Sequence, residues 1–203
     1  AAQDEVAASV LEASEDQTLA ISLAEHRAPA LLDQHERLIE NLVSAGAMKR
    51  LEESLPDAKA LAVRARAGQG LLRPELAVLV AQSKNVLTAE LGASTVPDNQ
   101  IFAGRLAEYF PLSVVEAAPD AVRAHRLGRD IIITSVVDEL VNRVGPGVLF
   151  RLEEHLGVRS PEAALAYAVV SEVLGTEDLR REILNSDRSG RLSIGCSSCW
   201  NPR

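Results

Sequence analysis

The stretch GLLRPELAVLVAQSKNVLTAEL, residues 70–91, predicts a helix at the centre of the fold. Pro74 suits the first turn of a helix, because the N–H that proline lacks has no partner there. Glu75 places a carboxylate near the positive end of the helix dipole. Apolar residues then recur at steps of three and four, at Leu76, Leu79, Val80, Leu87 and Leu91. With the alanines and valines between them they form a band too wide for one exposed face, so we predict a helix buried on more than one side.

The composition of the whole chain predicts an all-α protein. Of its 203 residues, 47% are hydrophobic and only 3% are aromatic. Alanine and leucine, which dominate, are strong helix formers, whereas the scarcity of aromatic residues disfavours a sheet. We expect a multi-helix, orthogonal or bundle-like domain of about eight to ten helices.

Charge and hydropathy exclude several classes of partner. A formal net charge of −8 disfavours nucleic-acid binding, which needs many cations to neutralise phosphates. No apolar run approaches the roughly 18–20 residues that cross a membrane. The first ten residues, AAQDEVAASV, lack the basic and apolar regions of a signal peptide. We therefore expect a cytoplasmic protein whose partners include neither nucleic acid nor a membrane.

Helical spacing and the positions of proline and glycine predict the remaining elements. We expect a helix over residues 4–25, with Ser14 as a candidate break, and the longest helix over residues 119–144. The other predicted helices cover residues 29–45, 48–54, a short segment ending at Gly68, and residues 99–109, 148–155 and 160–174, with a last short helix from Thr176.

Four short motifs stand in a fixed order along the chain: RPELAVL at 73–79, YFP at 109–111, HRL at 125–127 and VNR at 141–143. Together they resemble the C-terminal helical region of the large bacterial NAD-specific glutamate dehydrogenases, and the resemblance extends over residues 6–184. It implies a whole enzyme that converts L-glutamate, NAD and water to 2-oxoglutarate, ammonia and NADH. It also implies a homo-oligomer in which this region contacts the catalytic domain of the same polypeptide.

The sequence carries no dinucleotide-binding fingerprint, since no strand is followed by GxGxxG and strands do not alternate with helices. The resemblance implies that the domain that binds NAD lies upstream. We therefore assign no catalytic, cofactor-binding or metal residue and expect this fragment alone to be inactive. The alternative is an autonomous helical module that senses a small ligand or binds a protein.

Seven residues are candidates for structural or interdomain contacts: Arg73, Glu75, His125, Arg126, Arg129, Asn142 and Arg143. The first two could form an interhelical ion pair or simply start the central helix. The middle three, with Arg123, form a basic cluster that could meet an anionic ligand, an acidic surface of the catalytic domain or acidic residues of the same chain, or could form a solvated face. The last two precede a Gly-Pro-Gly turn, where they could bond the last carbonyls of their helix.

Leu72 departs from the family pattern, which usually has threonine at this position. A threonine there would complete a capping box with Glu75, in which hydroxyl and carboxylate each satisfy a free backbone donor. Leucine has no such hydroxyl, so we expect the start of the central helix to be weaker by about 1 kcal/mol.

Residues 185–203 differ in character from the rest, being small, polar and without helical period. We expect residues 1–184 to form the helical domain and residues 185–203 a flexible or non-native tail. Cys196 and Cys199 have the spacing of one pair of zinc ligands, but a structural zinc needs four. Because no second pair exists, we interpret them as incidental thiols.

Overall fold

The computed structural model describes residues 2–189, with side chains described for residues 3–184. This part of the chain is all-α and contains no strand. It divides after Leu165 into two compact units. Its eleven α-helices are α1 (Ala2–Arg27), α2 (Leu32–Ser44), α3 (Ala58–Arg66), α4 (Arg73–Gly92), α5 (Arg105–Tyr109), α6 (Leu112–Ala117), α7 (Pro119–Arg123), α8 (Gly128–Val144), α9 (Val148–Leu156), α10 (Ser160–Leu174) and α11 (Thr176–Ser189).

Helix α4 lies at the centre of the first unit, as its apolar spacing predicted. It packs against α1 and α8, which also pack against each other. Its fully buried side chains are the five that the spacing identified: Leu76, Leu79, Val80, Leu87 and Leu91. Burying one such side chain stabilises the fold by about 1.5–3 kcal/mol. The helix is therefore covered on more than one side, which confirms the prediction.

The chain between α1 and α2 is shaped by a close backbone approach. Helix α2 begins at Leu32 rather than at Pro29, because residues 28–31 form a turn. Ala28 is buried in this turn and lies against Gly70, where an added Cβ would come within 2.3 Å of the Ala28 carbonyl carbon. Only glycine fits at position 70, just before the central helix begins.

Two predicted helices are wrong in their extent. The helix predicted over residues 119–144 is broken into α7 and α8, and the Nδ1 atom of His125 accepts the Leu127 N–H within the break (3.3 Å). A side chain that bonds a nearby backbone donor competes with helical hydrogen bonds. The helix predicted over 99–109 is a 3-10 turn, Gln100–Phe102, followed by the short α5. These breaks, with the unpredicted α6, raise the helix count above ten.

Two other expectations about local structure are also wrong. Residues 50–54 form turns instead of the helix predicted over 48–54, and Ser54 adopts a left-handed φ of 55°. Helix α1 passes through Ser14 without a break, and the serine hydroxyl donates to the carbonyl of Val10 one turn earlier (2.8 Å). At 26 residues α1 is the longest helix, not the one near residue 130.

The C-terminal elements begin where the sequence predicted. Helix α9 ends at Gly157, which has a left-handed φ of 64°, and α10 has the predicted bounds. Helix α11 starts at Thr176 and continues to Ser189, five residues beyond the expected domain boundary. Cys196 and Cys199 lie outside the described residues. Among the residues that are described, no helix is long and apolar enough to cross a membrane.

The start of α4 yields a stability prediction. Glu75 already supplies one half of a capping box, since its carboxylate accepts the Leu72 N–H (2.6 Å), and Leu72 is 56% exposed. The variant Leu72→Thr should therefore raise the free energy of unfolding by about 1 kcal/mol, because its hydroxyl completes the box. Urea denaturation of the 203-residue chain measures this gain. Leu72→Ala is the matched control and should show no gain; an equal gain would assign the effect to loss of the leucine.

Candidate functional site

Arg73 and Glu75 each make an ion pair to a different helix. The Glu75 carboxylate accepts two hydrogen bonds from the guanidinium of Arg64 on α3 (2.6 and 2.9 Å). Arg73 donates to Ser22 (3.0 Å) and pairs with Glu25 (3.3 Å), both on α1. The first turn of α4 is thus connected to α3 on one side and to α1 on the other. Both residues therefore contact neighbouring helices of this unit.

The basic cluster around His125 does not converge on one point. The Arg129 guanidinium donates to the carbonyls of Gly92 (3.1 Å) and Ser94 (2.6 Å) and pairs with Asp98 (3.2 Å). It therefore caps the C-terminal end of α4, where cations are favoured by the helix dipole.

The other members of this cluster are exposed. Arg123 pairs with Asp120 on its own helix, and the His125 ring contacts the Phe110 ring at a centroid distance of 5.3 Å. Arg126 makes no side-chain hydrogen bond or ion pair within the part of the chain that the structure describes. These side chains do not converge on one point, and two of the three arginines of the cluster, Arg123 and Arg129, form ion pairs within the chain.

Asn142 and Arg143 lie in the last turn of α8, beside a cavity. Arg143 donates to Glu139 one turn earlier (2.5 Å), and Glu139 also pairs with Arg105 on α5. The Oδ1 atom of Asn142 is buried and has no hydrogen-bond partner among the described residues. The two residues predicted together thus have different environments, and only Arg143 belongs to an ion-pair network.

The turn after α8 is held in place by two other helices. Gly145 has a left-handed φ of 84°. The carbonyl of Pro146 accepts from the Ser83 hydroxyl on α4 (3.2 Å), and the carbonyl of Gly147 accepts from the Gln34 amide on α2 (3.1 Å). Both donors are buried. The turn is therefore fixed in position, and with it the start of α9.

A cavity of about 200 Å³ lies where α1, α2, the end of α8, this turn and α9 meet. One wall is apolar and comes from α1, mainly Ala20, Leu23 and Ala24. The polar lining comes from Arg27, Gln34, His35, Asn142, Arg143 and Arg151. No aspartate or glutamate is among the described residues that line it. The cavity is therefore locally cationic, although the chain as a whole is acidic.

His35 is the most buried ionisable group in this cavity. The residue is 3% exposed, and its Nδ1 atom has no hydrogen-bond partner within the described range. Burial lowers the pKa of His35 from 6.5 to about 4, because desolvation penalises the charged imidazolium. The imidazole is therefore neutral at pH 7, and the positive charge of the cavity belongs to its arginines.

Sequence reasoning missed this cavity, although one sign of it was present. His35 occupies a core position on α2, in the same apolar stripe as Leu32, Leu38, Ile39 and Leu42. A histidine on a buried stripe indicates a polar group that needs a partner inside the protein. Arg27 and Arg151 gave no such sign, because only the folded chain brings their distant positions together.

A second cavity, of about 380 Å³, lies between the end of α4 and the start of α10 and is acidic. Burial raises the pKa of Glu90; a hydrogen bond with Ser160 opposes this rise, and the nearby charge of Glu153 adds to it. Glu153 accepts the N–H of Ser160 (3.0 Å) and its hydroxyl. No group of three potential metal ligands occurs in the described part of the chain. We therefore interpret Glu90 and Glu153 as residues that hold the start of α10 through Ser160.

Comparison with known proteins gives consistent matches. The family profile described as "Glutamate dehydrogenase, C-terminal" matches residues 68–191. The "NAD-specific glutamate dehydrogenase" of Mycobacterium tuberculosis is 36% identical over 194 residues, which are 96% of this chain and 12% of the relative. The protein of the same name from Pseudomonas aeruginosa is 39% identical over 184 residues, 91% of this chain and 11% of the relative. The protein of the same name from Halomonas elongata is 34% identical over 169 residues, which are 83% of this chain and 10% of the relative. The chain thus spans about a tenth of the length of these relatives.

The ion pair at the start of α4 can be tested by removing its charge. Both side chains are mostly shielded, with Arg64 21% and Glu75 12% exposed. Glu75→Gln should lower the free energy of unfolding by about 2 kcal/mol, because the guanidinium stays partly buried without its counter-charge. Chemical denaturation provides the measurement. Glu52→Gln, which removes the exposed pair with Lys49, is the control and should change it by less than about 0.5 kcal/mol.

The buried imidazole yields a pH prediction. Unfolded His35 binds a proton below its ordinary pKa of 6.5, whereas folded His35 does so only below about 4. Between these values the unfolded state holds more protons, so stability falls as the pH decreases from 6.5 to 4. The loss reaches up to about 3 kcal/mol. Urea denaturation across this range measures the free energy of unfolding at each pH. This free energy should fall less steeply with decreasing pH for His35→Gln than for the unaltered chain. Equal slopes would contradict the assignment.

Proposed function

The chain belongs to the glutamate dehydrogenase C-terminal family, and from this premise we propose that it forms the C-terminal helical domain of a longer, NAD-dependent glutamate dehydrogenase. The complete enzyme would convert L-glutamate, NAD and water to 2-oxoglutarate, ammonia and NADH. The support is that three matched relatives carry this name and that the chain spans a small part of each.

The domain itself would not catalyse the reaction. An NAD-binding domain of the doubly wound type is built on a parallel sheet, and the described residues contain only helices and turns. In this proposal NAD binds to another part of the polypeptide, and the 203-residue chain alone is inactive. The complete enzyme would act in the cytoplasm, in agreement with the low cysteine content of the chain.

Exposed apolar side chains support a role in packing and assembly. On α10, Val169 with Val173 and Val170 with Leu174 form two pairs four residues apart, and all four are exposed. Residues at this spacing share one face of a helix. On α11, Leu179 and Ile183 form a similar exposed pair, as do Val6 and Val10 on α1. Contiguous exposed apolar faces mark surfaces that meet another protein surface.

We assign these apolar faces to contacts with the catalytic domain of the same polypeptide, in an enzyme that is a homo-oligomer. The single observation that carries this role is the exposure of the α10 face, where Val173 is 76% accessible to solvent. An autonomous ligand-sensing module is the second candidate function, and the cationic cavity described above favours it. A cavity that senses a ligand would use a different part of the chain from the apolar faces, whereas an autonomous module would exclude the packing role.

The complete polypeptide that contains this chain provides the test. It should reduce NAD when supplied with L-glutamate, and the 203-residue chain should not. In the complete polypeptide, Val173→Asp should lower the rate and the assembled mass, the rate by at least about tenfold, because the apolar contact would have to bury a charge. The same substitution in the 203-residue chain should leave its melting temperature unchanged, because the side chain is exposed there.

Leu51→Asp is the matched control, since Leu51 is 90% exposed but lies in a turn outside these faces. It should alter neither the rate nor the assembled mass. If the complete polypeptide fails to reduce NAD with L-glutamate, the proposed reaction is wrong. If Val173→Asp leaves rate and mass unaltered, the packing role is wrong and the reaction stands.

A further inference from the structure

The cavity between α1, α2 and α9 has a charge opposite to that of the chain as a whole. The formal net charge is −8, yet the charged side chains on the lining are Arg27, Arg143 and Arg151, with no carboxylate in the lining that the structure describes. Glu139 partly neutralises Arg143. The remaining positive charge is concentrated on the two other arginines.

Arg27 and Arg151 have no counter-charge of their own. Neither side chain makes an ion pair or hydrogen bond with any described residue. The Nε–H of Arg151 is a buried donor without an acceptor in the described part of the chain. An unpaired buried donor is unfavourable, and a guanidinium presents its donors in a planar fork that matches a carboxylate. These two side chains are therefore suited to an anion.

His35 provides an independent observation that points to a ligand. It is almost fully buried, lines the cavity and leaves Nδ1 without a partner among the described residues. A neutral imidazole can carry its proton on Nδ1 and then donates a hydrogen bond. Gln34, its neighbour, already uses its amide to hold the carbonyl of Gly147. His35 and Arg151 thus both line the cavity, and each has a buried nitrogen without a partner among the described residues.

The volume of the cavity and its apolar lining restrict the size of that molecule. The volume of about 200 Å³ accommodates only a small compound. Ala20, Leu23 and Ala24 of α1 contribute an apolar part of the lining, on the same face of α1 as Arg27. A short hydrocarbon stem can lie against this apolar part while its charged ends reach the arginines. Two unpaired guanidiniums suit a molecule with two carboxylates.

We propose that this cavity is a binding site for a short dicarboxylate that carries no ammonium group, held by Arg27, His35 and Arg151. An ammonium group would be repelled by the arginines and would find no carboxylate in the described lining. The site thus selects against acidic amino acids, although these also carry two carboxylates. This inference goes beyond the proposed function and does not depend on it, because it concerns equilibrium binding to the chain.

Three matched probes test the proposal on the 203-residue chain. Glutarate is the dicarboxylate, L-glutamate has the same carbon chain with an ammonium group, and glutaramide has the same length without charge. Calorimetry at constant ionic strength, set with sodium chloride, should show glutarate binding and a raised melting temperature. L-Glutamate should bind at least about tenfold more weakly, and glutaramide should not bind measurably.

Single substitutions then locate the binding. Arg151→Gln and Arg27→Gln should each weaken glutarate binding by at least about tenfold. Arg126→Gln removes an exposed, unpaired arginine that is not in the cavity lining, and it should leave glutarate binding unchanged. If Arg151→Gln fails to fold, Arg27→Gln alone tests the proposal. The Arg27 side chain is exposed, so we expect this variant to fold.

The proposal is overturned if glutarate does not bind, or if the Arg27→Gln and Arg126→Gln variants bind it equally well. Binding of L-glutamate as tight as that of glutarate would overturn the selection against ammonium. None of these outcomes bears on NAD reduction by the complete polypeptide, so failure here and failure of the proposed function are distinguishable.

Discussion

The burial of α4 is the constraint on which the first unit depends. A helix with apolar side chains around most of its circumference has to be covered by other helices, and α1 and α8 cover it. Its ends need polar partners as well, because terminal N–H and C=O groups lack bonds within the helix. Glu75 accepts one such N–H at the start, and Arg129 donates to carbonyls at the end. Each end of the central helix thus has a polar side chain that bonds to its backbone.

The cavity follows from this packing. Ser83 on α4 and Gln34 on α2 both donate to the turn after α8, so the turn lies close to the core. Fixing the turn places the last residues of α8 and the first turns of α9 against α1 and α2. Side chains from four helices then meet at a point where the apolar packing ends. Polar groups there, such as the Nδ1 atom of His35, are shielded from water without all being paired.

Sequence periodicity was sufficient for the central helix because burial itself produces the period, as Leu76, Leu79 and Leu87 show. It was insufficient for the break before α8, because the apolar spacing on both sides of the break remains helical. Within the break, His125 accepts a hydrogen bond from a backbone N–H. It was least informative for the cavity. Arg27 and Arg151 are more than 120 residues apart, and neither position differs locally from a solvated arginine. Only tertiary packing gives them a shared environment.

The net charge of this chain predicts that it repels anions, whereas the local charge of the cavity predicts that the cavity attracts them. The distance between each charge and the cavity decides which prediction applies there. At physiological ionic strength, interactions between exposed charges are largely screened beyond about 8 Å. Exposed acidic side chains farther away than this contribute little to the potential inside the cavity, whereas the arginines on its lining contribute directly. The apolar wall formed by α1 strengthens their effect, since it lowers the local dielectric response. An acidic protein can in this way present one site that favours anions, without being a general binder of anionic polymers.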